Sequence, residues 1–340
     1  MGFRATLEHL LAGRPLARAQ AEALFEDLLA GLLDDAQIGA VLALLQSRGP
    51  TIDELLGGAV VMRRHVTRLP DLPPGVPIID TCGTGGARKS FNVSTASAIV
   101  TAAAAQGRVL VAKHGNRGRS GRGSAEVLKA LGVNIDASPA VQSLCLRSAG
   151  VCFSFAIHHH PAMKHAARAR QSLGVPTIFN ALGPLTNPAG ATRQVMGVYD
   201  PELAIKNAHV LAALGCHRAM LVHGRDGTDE ISLNAPTLIA HVRGGGVHVE
   251  EFDARTLGLS RVSVDEAAVD DLDHAARAFR AVIEGERGPR RDLVLVTAAA
   301  ALIVADLAAD WPAGLDLAAR AIDSGAAGRT LDQLIECSRG

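Results

Sequence analysis

The stretch from Val76 to Leu131 constrains this chain most, because it runs twice through the order strand, glycine-rich loop, helix. Val76-Pro-Ile-Ile-Asp80 is a short apolar run ending in an acid, the pattern of a buried strand. Gly83-Thr-Gly-Gly86 follows it, and small residues from Ser94 to Ala105 then make a helix. Arg108 to Lys113 reads as a second strand, followed by another Gly/Ser-rich loop and a helix from Ser124 to Leu131. Val151 to Phe155 and Arg218 to His223 read as further strands, with a helix from Pro201 to Leu214 between them. Strands alternating with helices predict an α/β fold around a largely parallel sheet. Ligands of such sheets sit beyond the carboxyl ends of the strands, where the polar and glycine-rich loops fall here.

Residues 1 to about 68 have a different texture, with helical spacing and no strand signal. Thr6 reads as the cap of a helix carrying Leu7, Leu10 and Leu11, and Ala19 to Leu33 repeats apolar residues at helical spacing. Asp35 opens the next helix, and Thr51 starts another with Asp53 and Glu54 in its first turn. Pro70-Asp-Leu-Pro-Pro-Gly75 cannot continue a helix and marks the linker. The role expected of the initial helices is packing or assembly.

Composition excludes several classes. A length of 340 residues suits about two domains, and 34 Lys+Arg against 34 Asp+Glu gives no overall pull toward nucleic acid or an acidic membrane. Aromatic residues are 3%, too few for a base-stacking platform. The apolar run Leu293 to Ala305 is shorter than the roughly 20 residues a bilayer needs, and it reads as a buried helix. The first residues lack a secretory pattern. Five cysteines without a CxxC pair point to a reducing cytoplasm rather than a disulfide framework. The expected partners therefore include neither nucleic acid nor membrane.

Five groups of residues carry possible chemistry. Gly83, Gly85 and Gly86, ahead of Asn92, Ser94 and Thr95 at a helix start, suit phosphate oxygens, although a plain tight turn fits the same glycines. Lys113-His-Gly-Asn-Arg117, with Ser120 and Ser124, brings two cations to a glycine-rich loop. His158-His159-His160 would diverge on any regular backbone, so one pocket-lining histidine fits better than a metal site. Arg168 and Arg170 are natural carboxylate clamps, or ordinary surface arginines. Asp229-Glu230 places two carboxylates in a turn, a donor set suited to Mg2+ bridging to phosphate. Together these point to a Mg2+-dependent enzyme for a phosphorylated small substrate.

The motifs DTCGTGG (80–86), NVSTA (92–96), KHGNR (113–117), GSAEVLKALG (123–132), HPAMK (160–164), TIFNALGPLTNPA (177–189) and HGRDGTDEISL (223–233) come in the order found in anthranilate phosphoribosyltransferases. The chain resembles that family over nearly its whole length. The resemblance implies transfer of the phosphoribosyl group of 5-phosphoribosyl 1-diphosphate (PRPP) to anthranilate, with release of pyrophosphate, in tryptophan biosynthesis. It implies a nucleoside phosphorylase/phosphoribosyltransferase-type fold. A helical domain of residues 1–69, joined by helices from about 165–185, would hinge on an α/β domain of residues 70–340. A homodimer through the helical domain is implied as well.

By the same resemblance, Gly83, Gly85, Gly86, Asn92, Ser94, Thr95, Lys113 and Ser124 would bind PRPP. Ser94, Asp229 and Glu230 would carry Mg2+, and His114, Asn116, His160 and Arg170 would line the anthranilate path, with Arg170 on its carboxylate. An aryl amine is already neutral at pH 7, so no general base is assigned. The sequence departs from the family at Ala87, where an Asp is usual, and Arg88-Lys89 follows directly. Pro176 stands where the family has an arginine, and Ile157 where it often has a proline. These departures keep open a paralogue acting on another aromatic acid or amine. A pyrimidine nucleoside phosphorylase is disfavoured by the missing Lys-His-Ser before the glycine loop.

Overall fold

The computed structural model describes residues 2–87, 90–118 and 121–340. Four helices come first: α1 (Phe3–Leu11), α2 (Arg18–Leu29), α3 (Asp35–Arg48) and α4 (Ile52–Arg64). Their starts differ from the expectation in one place. Thr6 lies inside α1, its hydroxyl donating to the Gly2 carbonyl, rather than capping it. Asp35 opens α3 as read, and Asp34 caps it, its side chain accepting the Gln37 N–H at 2.8 Å. Thr51 caps α4 as read, and the Glu54 side chain accepts the Thr51 N–H in return.

After α4, residues 65–77 form neither helix nor strand. The sheet and its connections then follow: β1 (Ile78–Gly83), α5 (Val93–Ala105), β2 (Leu110–Gly115), α6 (Ser124–Ala130), α7 (Pro139–Ala149), β3 (Val151–Phe155), α8 (Ala156–His159), α9 (Lys164–Leu173), α10 (Ile178–Leu182), β4 (Arg193–Gly197), α11 (Pro201–Ala213) and β5 (Arg218–Gly224). A hairpin of β6 (Thr237–Arg243) and β7 (Gly246–Phe252) extends the sheet. Five helices complete the chain: α12 (Val264–Ala267), α13 (Leu272–Ile283), α14 (Pro289–Val304), α15 (Trp311–Asp323) and α16 (Ala326–Cys337).

The sheet has seven strands in the order β3-β2-β1-β4-β5-β6-β7. The pairs from β3 to β5 are parallel, and β6 and β7 run antiparallel at one edge. The chain winds outward from β1 to β3, then returns to the other side of β1 with β4. The strand order therefore reverses between β1 and β4, with Gly83 opposite Gly197 in register. A crevice opens at such a switch point because the connections on its two sides lead away from each other.

β1 and β2 each run further than the apolar pattern suggests. β1 takes in Thr81, Cys82 and Gly83, and β2 takes in His114 and Gly115 beyond Lys113. Thr81, Cys82 and His114 are all buried, strand residues that a reading by apolar pattern assigns to loops. α5 and α14 are buried around nearly their whole circumference. Their alanines allow the two helices to pack closely against each other, α5 also lying on β1 and β2 and α14 on β4 and β5. One apolar core surrounds these helices. A second joins Leu24, Phe25, Leu42 and Leu55 of the first helices to Ala166 and Ala169 of α9 and Ile178 and Phe179 of α10.

Candidate active site

The glycine loop leaves β1 at the switch point. Gly85 and Gly86 have φ of +63° and +97°, which favour glycine. Gly197, the β4 partner of Gly83, is required for a different reason. A Cβ there would collide with the Asp229 backbone carbonyl, so only glycine lets the 225–232 turn reach β1. That approach sets the Asp229 carboxylate 3.4 Å from where a Gly83 Cβ would stand. Thr84 closes the turn, its N–H donating to the Gly197 carbonyl at 2.9 Å.

On the other side of the cavity α5 begins. Asn92 precedes its first turn but makes no capping bond, its Nδ2 donating instead to the Arg122 carbonyl at 3.1 Å. The helix thus turns its positive end toward the loops after β1 and β2. Lys113 reaches across from β2, its Nζ donating to the Thr81 carbonyl at 2.6 Å and to Ser94 Oγ at 3.3 Å. Ser94, Asp229 and Glu230 line one pocket with Thr81, Cys82 and Gly197. Ser90 donates to Glu230 Oε2 at 3.0 Å and orients that carboxylate. Ser124 opens α6, with its Cβ packed against Gly115.

The donor set fits a divalent cation shared with a phosphorylated substrate. Asp229, Glu230 and Ser94 offer hard oxygens. Among the described residues, no cluster of three or more His, Cys, Asp or Glu side chains is arranged to hold an ion alone. Mg2+ is commonly held this way, by one or two carboxylates with phosphate oxygens and water completing its shell. The buried Asn92 Oδ1 and Thr95 Oγ1 have no protein hydrogen-bond partner, so a ligand hydroxyl could donate to Asn92 Oδ1 and Thr95 Oγ1 could donate to a ligand phosphate.

A second group lies beside it. The His114 and His160 rings meet with Nε2 atoms 3.3 Å apart, and the Thr186 hydroxyl lies 3.4 Å from His160 Nε2. Burial, then the neighbouring His160 and His159, push the His114 pKa well below the ordinary histidine range. Burial, then His159, lower His160 to about 4. Both rings are therefore neutral near pH 7. Arg170 projects from α9 with its guanidinium 5.3 Å from the Phe179 ring centroid, and burial lowers its pKa. Arg168 instead reaches Asp35 at 3.3 Å while 85% exposed, so the structure separates the two arginines.

The three consecutive histidines diverge. His158 pairs with Asp136 at the surface, His159 bonds the Thr67 carbonyl and Gln142, and only His160 joins the His114 pair. Asn116 is exposed and accepts the Arg117 N–H. Among the described residues, no hydrogen bond joins Asn116 or Arg170 to the His114–His160 pair. Ala87 sits half-buried in the bend after the glycine loop, and Arg88, Lys89 and Ser120 lie outside the described residues. Reading by motif misses Ser90, Thr186 and Asn187 as members of the site. Thr186 and Asn187 stand inside a quoted motif, and Ser90 sits between two motifs with no signal of its own.

Comparison with known proteins agrees with this geometry. Residues 75–328 match the glycosyl transferase family a/b domain, and residues 4–66 match that family's helical bundle domain. The chain is 45% identical over 338 residues to the anthranilate phosphoribosyltransferase of Methylobacterium nodulans, covering 99% of this chain and 98% of the relative. Its fold is similar to the crystal structure of the Thermus thermophilus enzyme of that name, with TM-score 0.89, 34% identity, and 98% and 99% of the two chains covered. The Saccharomyces cerevisiae enzyme in complex with PRPP and Mg is similar too, with TM-score 0.89, 25% identity, and 99% and 98% covered. In complex with 4-fluoroanthranilate, that yeast enzyme gives TM-score 0.86 at 25% identity, with 98% of each chain covered.

Proposed function

We propose a division of labour for this site from one premise: the chain belongs to the anthranilate phosphoribosyltransferase family. It transfers the phosphoribosyl group of PRPP to the amine of anthranilate, releasing pyrophosphate, in tryptophan biosynthesis. Mg2+ is its cofactor. The observation that carries the residue assignments is the meeting of Ser94, Asp229 and Glu230 at the switch-point cavity, with Lys113 bonded to Ser94.

On the donor side, Gly83, Gly85 and Gly86 shape a loop whose backbone admits phosphate oxygens closely. Asn92, Ser94, Thr95 and Ser124 offer polar groups at two helix starts, and Lys113 adds a buried positive charge. Ser94, Asp229 and Glu230 are the residues that would hold Mg2+. Bound there, the ion supplies charge stabilisation for the departing pyrophosphate. As the C1–oxygen bond breaks, ribose gains oxocarbenium character and the leaving group gains negative charge. Lys113 and the N-terminal end of α5 already point their positive charge at that region, so little reorganisation is needed.

On the acceptor side, Arg170 takes the carboxylate of anthranilate, and His114, Asn116 and His160 line its approach. Two neutral imidazoles offer hydrogen bonds without repelling a neutral amine. The chain's task for this half of the reaction is positioning, which is worth several powers of ten in rate. No residue is needed to remove a proton before attack.

The division at residues 1–69 and 70–340, with helices from about 165–185 joining the first part, belongs to this reading. Its support is the packing of Ala166, Ala169, Ile178 and Phe179 against Leu24, Phe25, Leu42 and Leu55, in a core that continues to Met196, Leu211 and Leu221 of the α/β part. Homodimer assembly through the helical part is supported by Leu11 and Leu32, which are 65% and 71% exposed there. A cytoplasmic location is supported by five unpaired cysteines. No helix is long and apolar enough to cross a membrane among the described residues.

The test is the PRPP-dependent loss of anthranilate fluorescence by the purified protein across a Mg2+ titration. Consumption that requires both PRPP and Mg2+ is expected. PRPP binding by calorimetry without anthranilate consumption would contradict the acceptor assignment.

A further inference from the structure

A closed circuit of contacts links the two halves of the site, and Asp80 is its ionisable acid. The Asp80 carboxylate is fully excluded from solvent on β1. Its Oδ1 accepts the backbone N–H of His114 at 3.0 Å, and its Oδ2 accepts Asn187 Nδ2 at 2.8 Å. Asn187 also donates to the Ala112 carbonyl at 2.8 Å, and its Oδ1 accepts the Ala189 N–H at 2.9 Å. The segment around 187 is thereby fastened to both β1 and β2. The next residue back, Thr186, faces His160, His160 faces His114, and His114 returns to Asp80. The Gly183 carbonyl accepts from the Thr186 hydroxyl at 2.8 Å. Lys113 stands beside the same carboxylate and carries its charge toward the donor side.

We propose that Asp80 is a positioning residue for the transfer reaction: its carboxylate fixes the His114–His160 acceptor pair relative to Lys113 by tying the end of β2 to the Asn187 segment. The inference deepens the anthranilate reading and rests on it. Asp80 touches no substrate. Its effect passes through the two histidines, and a displacement of about 1 Å at an acceptor can cost about 10²-fold in rate.

Asp80→Asn is close in shape and can still accept the His114 N–H, but it cannot accept from Asn187 with a charged oxygen. Lys113 keeps its Thr81 and Ser94 partners in this variant. The measurement is steady-state kinetics of wild type, Asp80→Asn, Asn187→Ala and, as a control, Glu54→Gln, each shown to be folded by circular dichroism. For Asp80→Asn and Asn187→Ala, the KM for anthranilate is expected to rise about tenfold, with kcat lower by about 10²-fold and the KM for PRPP within about twofold. Glu54→Gln is expected to leave both KM values in place.

Wild-type turnover tests the functional reading by itself. A substrate-free measurement tests the circuit: the imidazole 15N resonances of His114 and His160. They are expected to move in Asp80→Asn and to stay in Glu54→Gln. Unmoved resonances, or anthranilate and PRPP KM values that rise together, would overturn the assignment.

Discussion

Glu54 in the first helices and Asp80 at the switch point are both shielded completely from solvent, yet their surroundings answer burial in opposite ways. Burial raises the Glu54 pKa, but the Arg48 guanidinium at 2.6 Å and the N–H groups of Thr51 and Leu16 outweigh it and hold the carboxyl below its usual range. At Asp80 burial wins, and the pKa is pushed up to about 6 despite Lys113, Asn187 and the His114 N–H. The difference lies in what the cations are for. Arg48 bonds directly to Glu54 and closes a loop against α4. Lys113 aims at Thr81 and Ser94 and is shared with the phosphate site. The helical part uses its buried charge for stability, whereas the sheet keeps a poorly compensated charge where chemistry needs it.

If that contrast holds, changes at the site alter kinetics and changes in the helices alter stability. The largest effect is expected for Asp229→Asn combined with Glu230→Gln. Removing both carboxylate charges from the cavity should lower Mg2+-dependent turnover about 10³-fold, the order of magnitude of a lost electrostatic stabiliser. Thermal melting should change little, and full activity would remove these residues from the metal site. Next comes Glu54→Gln, which strips Arg48 of its carboxylate. It is expected to cost about 3 kcal/mol in denaturant unfolding, as broken buried pairs do, with both KM values unchanged. A shifted anthranilate KM would break the contrast from the other side. The smallest is Arg170→Ala. Losing one charged hydrogen-bonding group should raise the anthranilate KM about 30-fold, or about 2 kcal/mol, and leave the PRPP KM in place.

The site is more legible in the sequence than its supports are. Glycine loops, Lys113, His114, His160, Arg170 and Asp229-Glu230 stand in long motifs, and the strand–loop–helix alternation places several of them at the carboxyl ends of strands. The crevice itself requires topology. The return of β4 beside β1 cannot be read from local periodicity, because it depends on pairing across more than 100 residues of chain. The β6–β7 hairpin also escapes such a reading. β7 is an exposed edge strand with charged residues and lacks the apolar run that marks a buried one. Asp80 reads only as the end of a strand, since nothing local shows that Asn187 will meet it 107 positions later. Thr6 is misplaced as a helix start for a simpler reason. It lies inside the true boundary at Phe3, where capping depends on geometry rather than residue type.

The central contrast can be measured directly as pH-dependent stability. For Glu54, whose folded pKa is lowered, the stabilising contribution is present above the unfolded value and lost as pH falls through the folded one. For Asp80, whose folded pKa is raised, the contribution is present at low pH and lost as pH rises from the usual ~3.9 toward the folded value of about 6. Denaturant unfolding of wild type, Glu54→Gln and Asp80→Asn from pH 4 to pH 7.5 separates the two. The stability gap between wild type and Glu54→Gln should widen as pH rises from 4. The gap between wild type and Asp80→Asn should move the other way, by ~3 kcal/mol for a shift of about two pKa units. Gaps that change in the same direction, or an Asp80 gap that stays flat, would contradict the account.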